Sequence, residues 1–227
     1  MQNTQNNKTY IIGVDFSITS PSITILTYNA IGTLLGVDSI LIAQTRKQCL
    51  DDSVRLKYEG LEWNLHLLEY EEEKGKERIA ELRYQKITEK LFDCLTSIIG
   101  KENKENVHLA IEDYSFHANG RITDIAECTS VFKQKCYNHF NKPCTPIAPT
   151  TIKKHYSGKG NANKVMMYKA LLEHIQNQND IKNKIKNIKE FDIMNPSCKI
   201  PAPLNDMVDG LACAFTCKEM LSKNNKL

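Results

Sequence analysis

The sequence predicts an α/β fold, a mixed five-stranded sheet flanked by helices on both faces. Three observations carry this. Residues 10–45 are rich in β-branched runs separated by turn signals. Two short apolar runs follow, near 107–112 and 145–149. Between and after these runs, apolar residues recur at steps of three and four.

Ile11, Ile12 and Val14 lead into Asp15 and form the first predicted strand. Ile23-Thr-Ile-Leu-Thr-Tyr resumes after Ser17 to Pro21, and Asn29 to Gly32 supplies a turn. Leu34-Leu-Gly-Val and Ser39-Ile-Leu-Ile-Ala continue an antiparallel ribbon. Residues 46–76 are charged and helix-prone, with Trp63, Leu65 and Leu68 as docking points, and are expected to form a helical insertion. From about Lys76 to Ile99, the residues Tyr84, Ile87, Leu91, Leu95 and Ile98 make one apolar stripe, with Gly100 as a stop. Val107 to Glu112 reads as a buried parallel strand. A second amphipathic helix carries Ile122, Ile125, Thr129, Phe132, Cys136 and Phe140, and Pro143 breaks it. Thr145-Pro-Ile-Ala-Pro is a short strand ending in a loop. Residues 162–177 are helical through Val165, Tyr168, Leu172 and Ile175. Residues 178–200 are a polar loop. Asn205 is an N-cap candidate for a last helix from about Asp206 to Met220.

A chain of 227 residues can bury a full core and is most simply one domain, 1–227, with those insertions. No apolar run is long enough for a membrane span, and the start Met-Gln-Asn-Thr-Gln-Asn-Asn lacks the apolar core of a signal peptide. The expected setting is cytoplasmic. The eight cysteines contain no Cys-x-x-Cys pair, which predicts reduced structural thiols rather than zinc sites or disulfides.

The net charge is only +3, but from Cys128 to Leu172 there is no Asp or Glu against eight lysines. Asp51 to Asp113, by contrast, is acidic. A local basic surface on a near-neutral chain suits phosphate; a lysine-rich solvated face accounts for it equally.

Carboxylates fall where a metal-dependent nuclease needs them. Asp15 ends one predicted strand and Glu112 another, and Asp206 and Asp209 lie three apart at a helix start. Each acid alone has an ordinary explanation: a turn residue, half of a salt bridge, a helix-dipole partner. Together they provide hard oxygen ligands for Mg²⁺, with Mn²⁺ able to substitute. Two such ions about 4 Å apart activate water and stabilise the leaving oxygen in phosphodiester cleavage. Glu112 and Asp113 point to opposite faces of a strand, so one of them joins Asp15. Glu112 follows directly on the apolar run and is the choice; Asp113 is the alternative.

Ser157-Gly-Lys-Gly-Asn-Ala-Asn-Lys is a basic loop entering a helix, without P-loop spacing. Lys153, Lys154, Lys159 and Lys164, with Arg121, are the expected DNA contacts. Tyr114 and Phe116 follow the second strand, where aromatics stack on unpaired bases or pack in a core. His117 and His155 are expected as surface groups or phosphate contacts.

The stretches Ile-Gly-Val-Asp-Phe-Ser, Leu-Ala-Ile-Glu-Asp-Tyr-Ser-Phe, Gly-Lys-Gly-Asn-Ala-Asn-Lys and Asn-Asp-Met-Val-Asp-Gly-Leu-Ala-Cys-Ala-Phe resemble, in order, those of the RuvC family of Holliday-junction resolvases. The resemblance implies an RNase H-like fold and a homodimer that cuts four-way and other branched DNA in recombination and repair. It implies that Asp15, Glu112, Asp206 and Asp209 are the four metal ligands, that Lys164 is the basic residue near the scissile phosphate, and that Tyr114 or Phe116 enters the junction centre. The dimer is expected to form on the helix at about 120–140, through Ile122, Ile125, Thr129, Phe132 and Cys136, with the 46–76 insertion in reserve. The chain departs from the family in having Phe-Ser where Pro-Gly often follows the first Asp, and in longer segments at 46–76 and 178–200.

Two other classes compete. An actin-like ATPase shares a related sheet but needs glycine-rich phosphate turns, and Ser17-Ile-Thr-Ser supplies none. A non-catalytic DNA-binding module has no use for a full set of acids near phosphates.

Overall fold

A computed structural model describes residues 8–17, 20–43, 64–69, 80–100, 103–114, 122–177, 194–195, 197–200 and 204–224. The strands are β1 Thr9–Asp15, β2 Ser22–Tyr28, β3 Leu34–Ala43, β4 Asn64–Glu69, β5 Val107–Glu112 and β6 Thr145–Ile147. The helices are α1 Ala80–Ile99, α2 Ile122–Phe140, α3 Pro149–Ser157, α4 Lys164–Asn177 and α5 Leu204–Lys223. They build one mixed sheet, ordered β4-β3-β2-β1-β5-β6. β1, β2 and β3 are successively antiparallel, while β5 runs parallel to β1, and β6 parallel to β5. The meander turns at Asn29, whose Oδ1 accepts from the Ile31 and Thr33 backbone N–H groups, with Gly32 at φ 81°.

The strands alternate between two cores. Tyr10, Ile12 and Val14 of β1, with Ile23 and Ile25 of β2, pack against α1 and α2. Ile11 and Leu26 face the other way, against α3, α4 and α5. The predicted stripe of α1 is buried at Tyr84, Ile87, Leu91 and Leu95. That of α2 is buried at Thr129, Phe132, Cys136 and Phe140, and the Phe132 ring lies 5.5 Å from Phe16. The α2 stripe is therefore consumed by the protein's own core, and Phe132 and Cys136 are not a dimer surface; Ile122's side chain lies outside the described residues. The seven described cysteines are free thiols. No helix among the described residues is long and apolar enough to cross a membrane.

Three elements differ from expectation. Asn64–Glu69, placed within a helical insertion on charge and helix propensity, is a strand parallel to β3 and adds a sixth member to the expected five. Pairing with the outer edge of β3 satisfies its backbone polar groups and overrides local propensity. The rest of 46–76, Trp63 included, lies outside the described residues, as does most of 178–200. Second, the loop expected after β6 is the helix α3. Pro149 sits in its first turn, and Gly158 closes it at φ 78° with its N–H on the Lys154 carbonyl. Third, α5 starts at Leu204, so Asn205 is inside the helix rather than capping it; its Nδ2 donates to Asp206 Oδ1 at 2.6 Å.

Candidate active site

Side-chain alternation along β1 sends Ile11, Gly13 and Asp15 to one face. On β5 the same face receives Ala110 and Glu112. Because β1 and β5 are parallel neighbours, in register from Tyr10↔Val107 to Val14↔Ile111, both strands end at the same edge. Asp15 and Glu112 therefore stand side by side.

α5 lies across this edge. Gly13 lets it approach to backbone contact: a Cβ there would fall 2.2 Å from both the Gly210 carbonyl oxygen and the Ala214 nitrogen. The first turns of α5 thereby carry Asp206 and Asp209 to the two strand-end acids. Asp113 is occupied elsewhere. Its N–H donates to the Ile147 carbonyl at 2.9 Å, and its Oδ1 accepts from the Tyr114 N–H at 2.9 Å. Of the two adjacent acids, Glu112 joins the cluster.

The four carboxylates lie in one another's fields, and each is driven toward its neutral form. Burial holds Asp15 well above the usual carboxylate range, reinforced by Glu112, Asp209 and Asp206 and opposed by Lys164. Burial, then Asp209, pushes Glu112 up to about 7, against Lys153. Asp209 is pushed up to about 6 by burial and Asp206, against Lys164 and Lys153. Asp206 is raised by burial, with Lys164 and hydrogen bonds from Ser20 and Asn205 holding it down. Its Oδ2 is buried with no hydrogen-bond partner.

Excess negative charge on half-buried groups and an orphaned, buried carboxylate oxygen are what a cation would relieve. Among the described residues no three Asp, Glu, His or Cys side chains stand close enough to enclose one ion. The fit is to ions that take one or two carboxylates and complete their shell with water and substrate phosphate, the habit of Mg²⁺. Asp15, Glu112, Asp206 and Asp209 could hold such ions.

The lysines separate by location. Lys164 is the first residue of α4, and Asn163 Oδ1 caps the same turn by accepting from the Met166 N–H at 2.9 Å. Lys153, expected only as a DNA contact, is half-buried on α3 with its charge on Glu112 and Asp209. The sequence marks α3 only by Pro149 at its start and Gly158 at its end, so it does not reveal that placement. Lys154 is exposed and lines a groove with Thr150, Thr151, His155, Gly160 and Glu219. Lys159 is exposed beyond the end of α3. His155 is tied to Glu219 at 3.0 Å. Tyr114 is half-buried against α2, its hydroxyl 3.4 Å from the Ala126 carbonyl and its ring under the Lys133 ammonium at 5.2 Å. It packs on the scaffold rather than standing free. Phe116, His117 and Arg121 lie outside the described residues.

An antiparallel meander continued by parallel strands, with helices on both faces, is an RNase H-like fold. Solved structures of RuvC and of a mitochondrial resolvase share it. The chain superposes on Thermus thermophilus RuvC with a TM-score of 0.52 at 13 % identity, over 96 % of this chain and 98 % of that one. Thermus thermophilus RuvC in complex with Holliday junction substrate gives 0.52 at 14 % identity, over 96 % and 97 %. The yeast mitochondrial Holliday junction resolvase Ydc2 gives 0.52 at 14 % identity, over 96 % and 82 %. The chain has a RuvC-like fold. No family model matches the sequence, and neither does any curated protein.

Proposed function

We propose that this protein is a Mg²⁺-dependent endonuclease, with Mn²⁺ able to substitute, that resolves four-way and other branched DNA junctions by paired phosphodiester hydrolysis. The observation that carries this reading is the convergence of four half-buried carboxylates and two lysine charges at one edge of a RuvC-like sheet. Acids packed this closely serve neither core stability nor phosphate affinity on their own, and both make sense once cations and phosphate arrive together.

Asp15, Glu112, Asp206 and Asp209 would hold the ions, which when bound supply an activated water and a counter-charge for the leaving oxygen. The protein's own groups do the rest. Lys164, fixed at the start of a helix, lies beside the attacked phosphate and stabilises the charge that develops on it. The charge of Lys153 lowers the cost of ionising Glu112 and Asp209. Lys154, Lys159 and Arg121 contact the DNA backbone. Tyr114 or Phe116 faces the junction centre, and Phe116 is the stronger choice because Tyr114 is engaged with α2.

Two symmetric cuts need two active sites, which a twofold homodimer supplies. With its stripe buried, α2 retains Val131 and Tyr137 on its outer surface, and this surface is the proposed contact. The proposed setting is DNA recombination and repair in the cytoplasm.

The test is incubation of the purified protein with a four-way junction and a linear duplex, with and without Mg²⁺ or Mn²⁺. Metal-dependent nicking of the junction and not the duplex is expected. Junction binding without cleavage in either metal would make the protein a DNA-binding module and overturn the reading.

A further inference from the structure

One buried serine links the two halves of the carboxylate cluster. Ser22 opens β2 and is the cross-strand partner of Asp15. It is fully buried, and its hydroxyl donates to the backbone carbonyl of Asp206 at 2.7 Å. It can reach that carbonyl because residue 210 has no side chain; a Cβ on Gly210 would meet Ser22 Oγ at 3.0 Å and Thr24 Oγ1 at 3.1 Å.

The glycine contact and the hydrogen bond constrain different motions. Backbone packing at Gly13 and Gly210 fixes how far α5 stands from β1. It is non-directional, while one residue along the helix axis corresponds to about 1.5 Å. A hydrogen bond to one carbonyl in the first turns of the helix is directional and pins that carbonyl's position along the axis. Thr24, two residues along β2 on the same face, bonds instead to Ser39 at 3.1 Å and does not hold α5 in this way.

We propose that Ser22 is a positioning residue for the metal site: its bond to the Asp206 carbonyl sets the axial register of α5, and so the separation of Asp206 and Asp209 from Asp15. This rests on the proposed metal-dependent function. Residues that orient metal ligands without touching the metal typically contribute tenfold or more to affinity.

The test compares Mn²⁺ binding by calorimetry, on DNA-free protein, for wild type, Ser22→Ala and Thr24→Ala, with thermal unfolding of each metal-free protein alongside. Ser22→Ala is expected to weaken Mn²⁺ binding on the order of tenfold while unfolding within a few degrees of wild type. Thr24→Ala, which also loses a buried hydroxyl, is expected to unfold earlier and keep wild-type Mn²⁺ affinity. Wild-type affinity in Ser22→Ala, or equal losses in both variants that track their unfolding temperatures, overturns the positioning role alone. Absence of Mn²⁺ binding by wild type overturns the metal site, and this inference with it.

Discussion

Gly13 of β1 meets Gly210 of α5 backbone to backbone, so closely that any side chain on Gly13 would have to displace the helix. The obstacle is main chain on both sides and cannot rotate away. Gly13→Ala is therefore expected to cost at least the roughly 1–3 kcal/mol of ordinary overpacking, measurable as a lower urea midpoint. It also moves α5 from the edge that carries Asp15. A variant as stable as wild type would show that α5 does not seat on β1 as described.

Asp15→Asn, Glu112→Gln and Asp209→Asn are each expected to abolish cleavage while junction binding persists or tightens, because each removes a ligand charge and a repulsion against phosphate. The structure adds a stability signature. Each acid is held toward its neutral form by burial and by its neighbours, so a neutral isostere relieves strain in the metal-free protein. Glu112→Gln is expected to unfold at a higher temperature than wild type at pH 8 without metal. A variant cutting at wild-type rate would sink the assignment of that residue.

The same carboxylates predict how stability depends on pH. In the folded protein Glu112 is raised to about 7 and Asp209 to about 6, from ordinary values of 4.5 and 3.8. A raised acid binds its proton more tightly folded than unfolded. Its contribution is complete below the unfolded value and is lost as pH climbs through the folded one. The metal-free protein is thus expected to lose stability between about pH 4 and 7, at up to about 1.4 kcal/mol per pH unit for each group titrating. Saturating Mg²⁺, which favours the charged forms, flattens or reverses that slope. Urea unfolding at a series of pH values, with Mg²⁺ and with chelator, checks it; rising stability over this range without metal would be the contrary result.

The carboxylate positions were legible because strand ends and a helix start are marked by apolar runs and turn residues; strand alternation admits only one of Glu112 and Asp113 beside Asp15, and Glu112 is the one that directly follows the apolar run. What escaped depends on tertiary contact. Asn64–Glu69 has helix-forming residues and becomes a strand only because β3 has an open edge. The short helix α3 has no long stripe, and its ends are marked by Pro149 and Gly158 alone. The α2 stripe shows what is apolar and not what covers it. Its Phe132, fully buried beside Phe16, makes Phe132→Glu a test of folding and not of dimerisation. Val131→Glu and Tyr137→Glu, at exposed positions, are the informative pair; light scattering is expected to show them monomeric, and an undisturbed dimer would place the contact elsewhere.

The last prediction separates the lysines. Lys164 and Lys153 act on the carboxylates, whereas Lys154 and Lys159 do not, although Lys164 is as exposed as they are. Lys164→Ala is expected to lower the single-turnover cleavage rate by on the order of a hundredfold, the scale of losing one preorganised charge in a transition state, with little change in junction affinity. Lys153→Ala removes the charge that opposes the rise of Glu112 and Asp209. Their proton affinities increase further, so cleavage at pH 6 falls more than at pH 8.5, where both acids are ionised regardless. Lys154→Ala and Lys159→Ala leave the rate at saturating DNA unchanged. Each weakens binding and reduces the salt dependence by about one phosphate contact. The pH–rate profile of Lys153→Ala is the decisive measurement, since a residue that only contacts DNA would lower affinity without moving the acid limb of that profile.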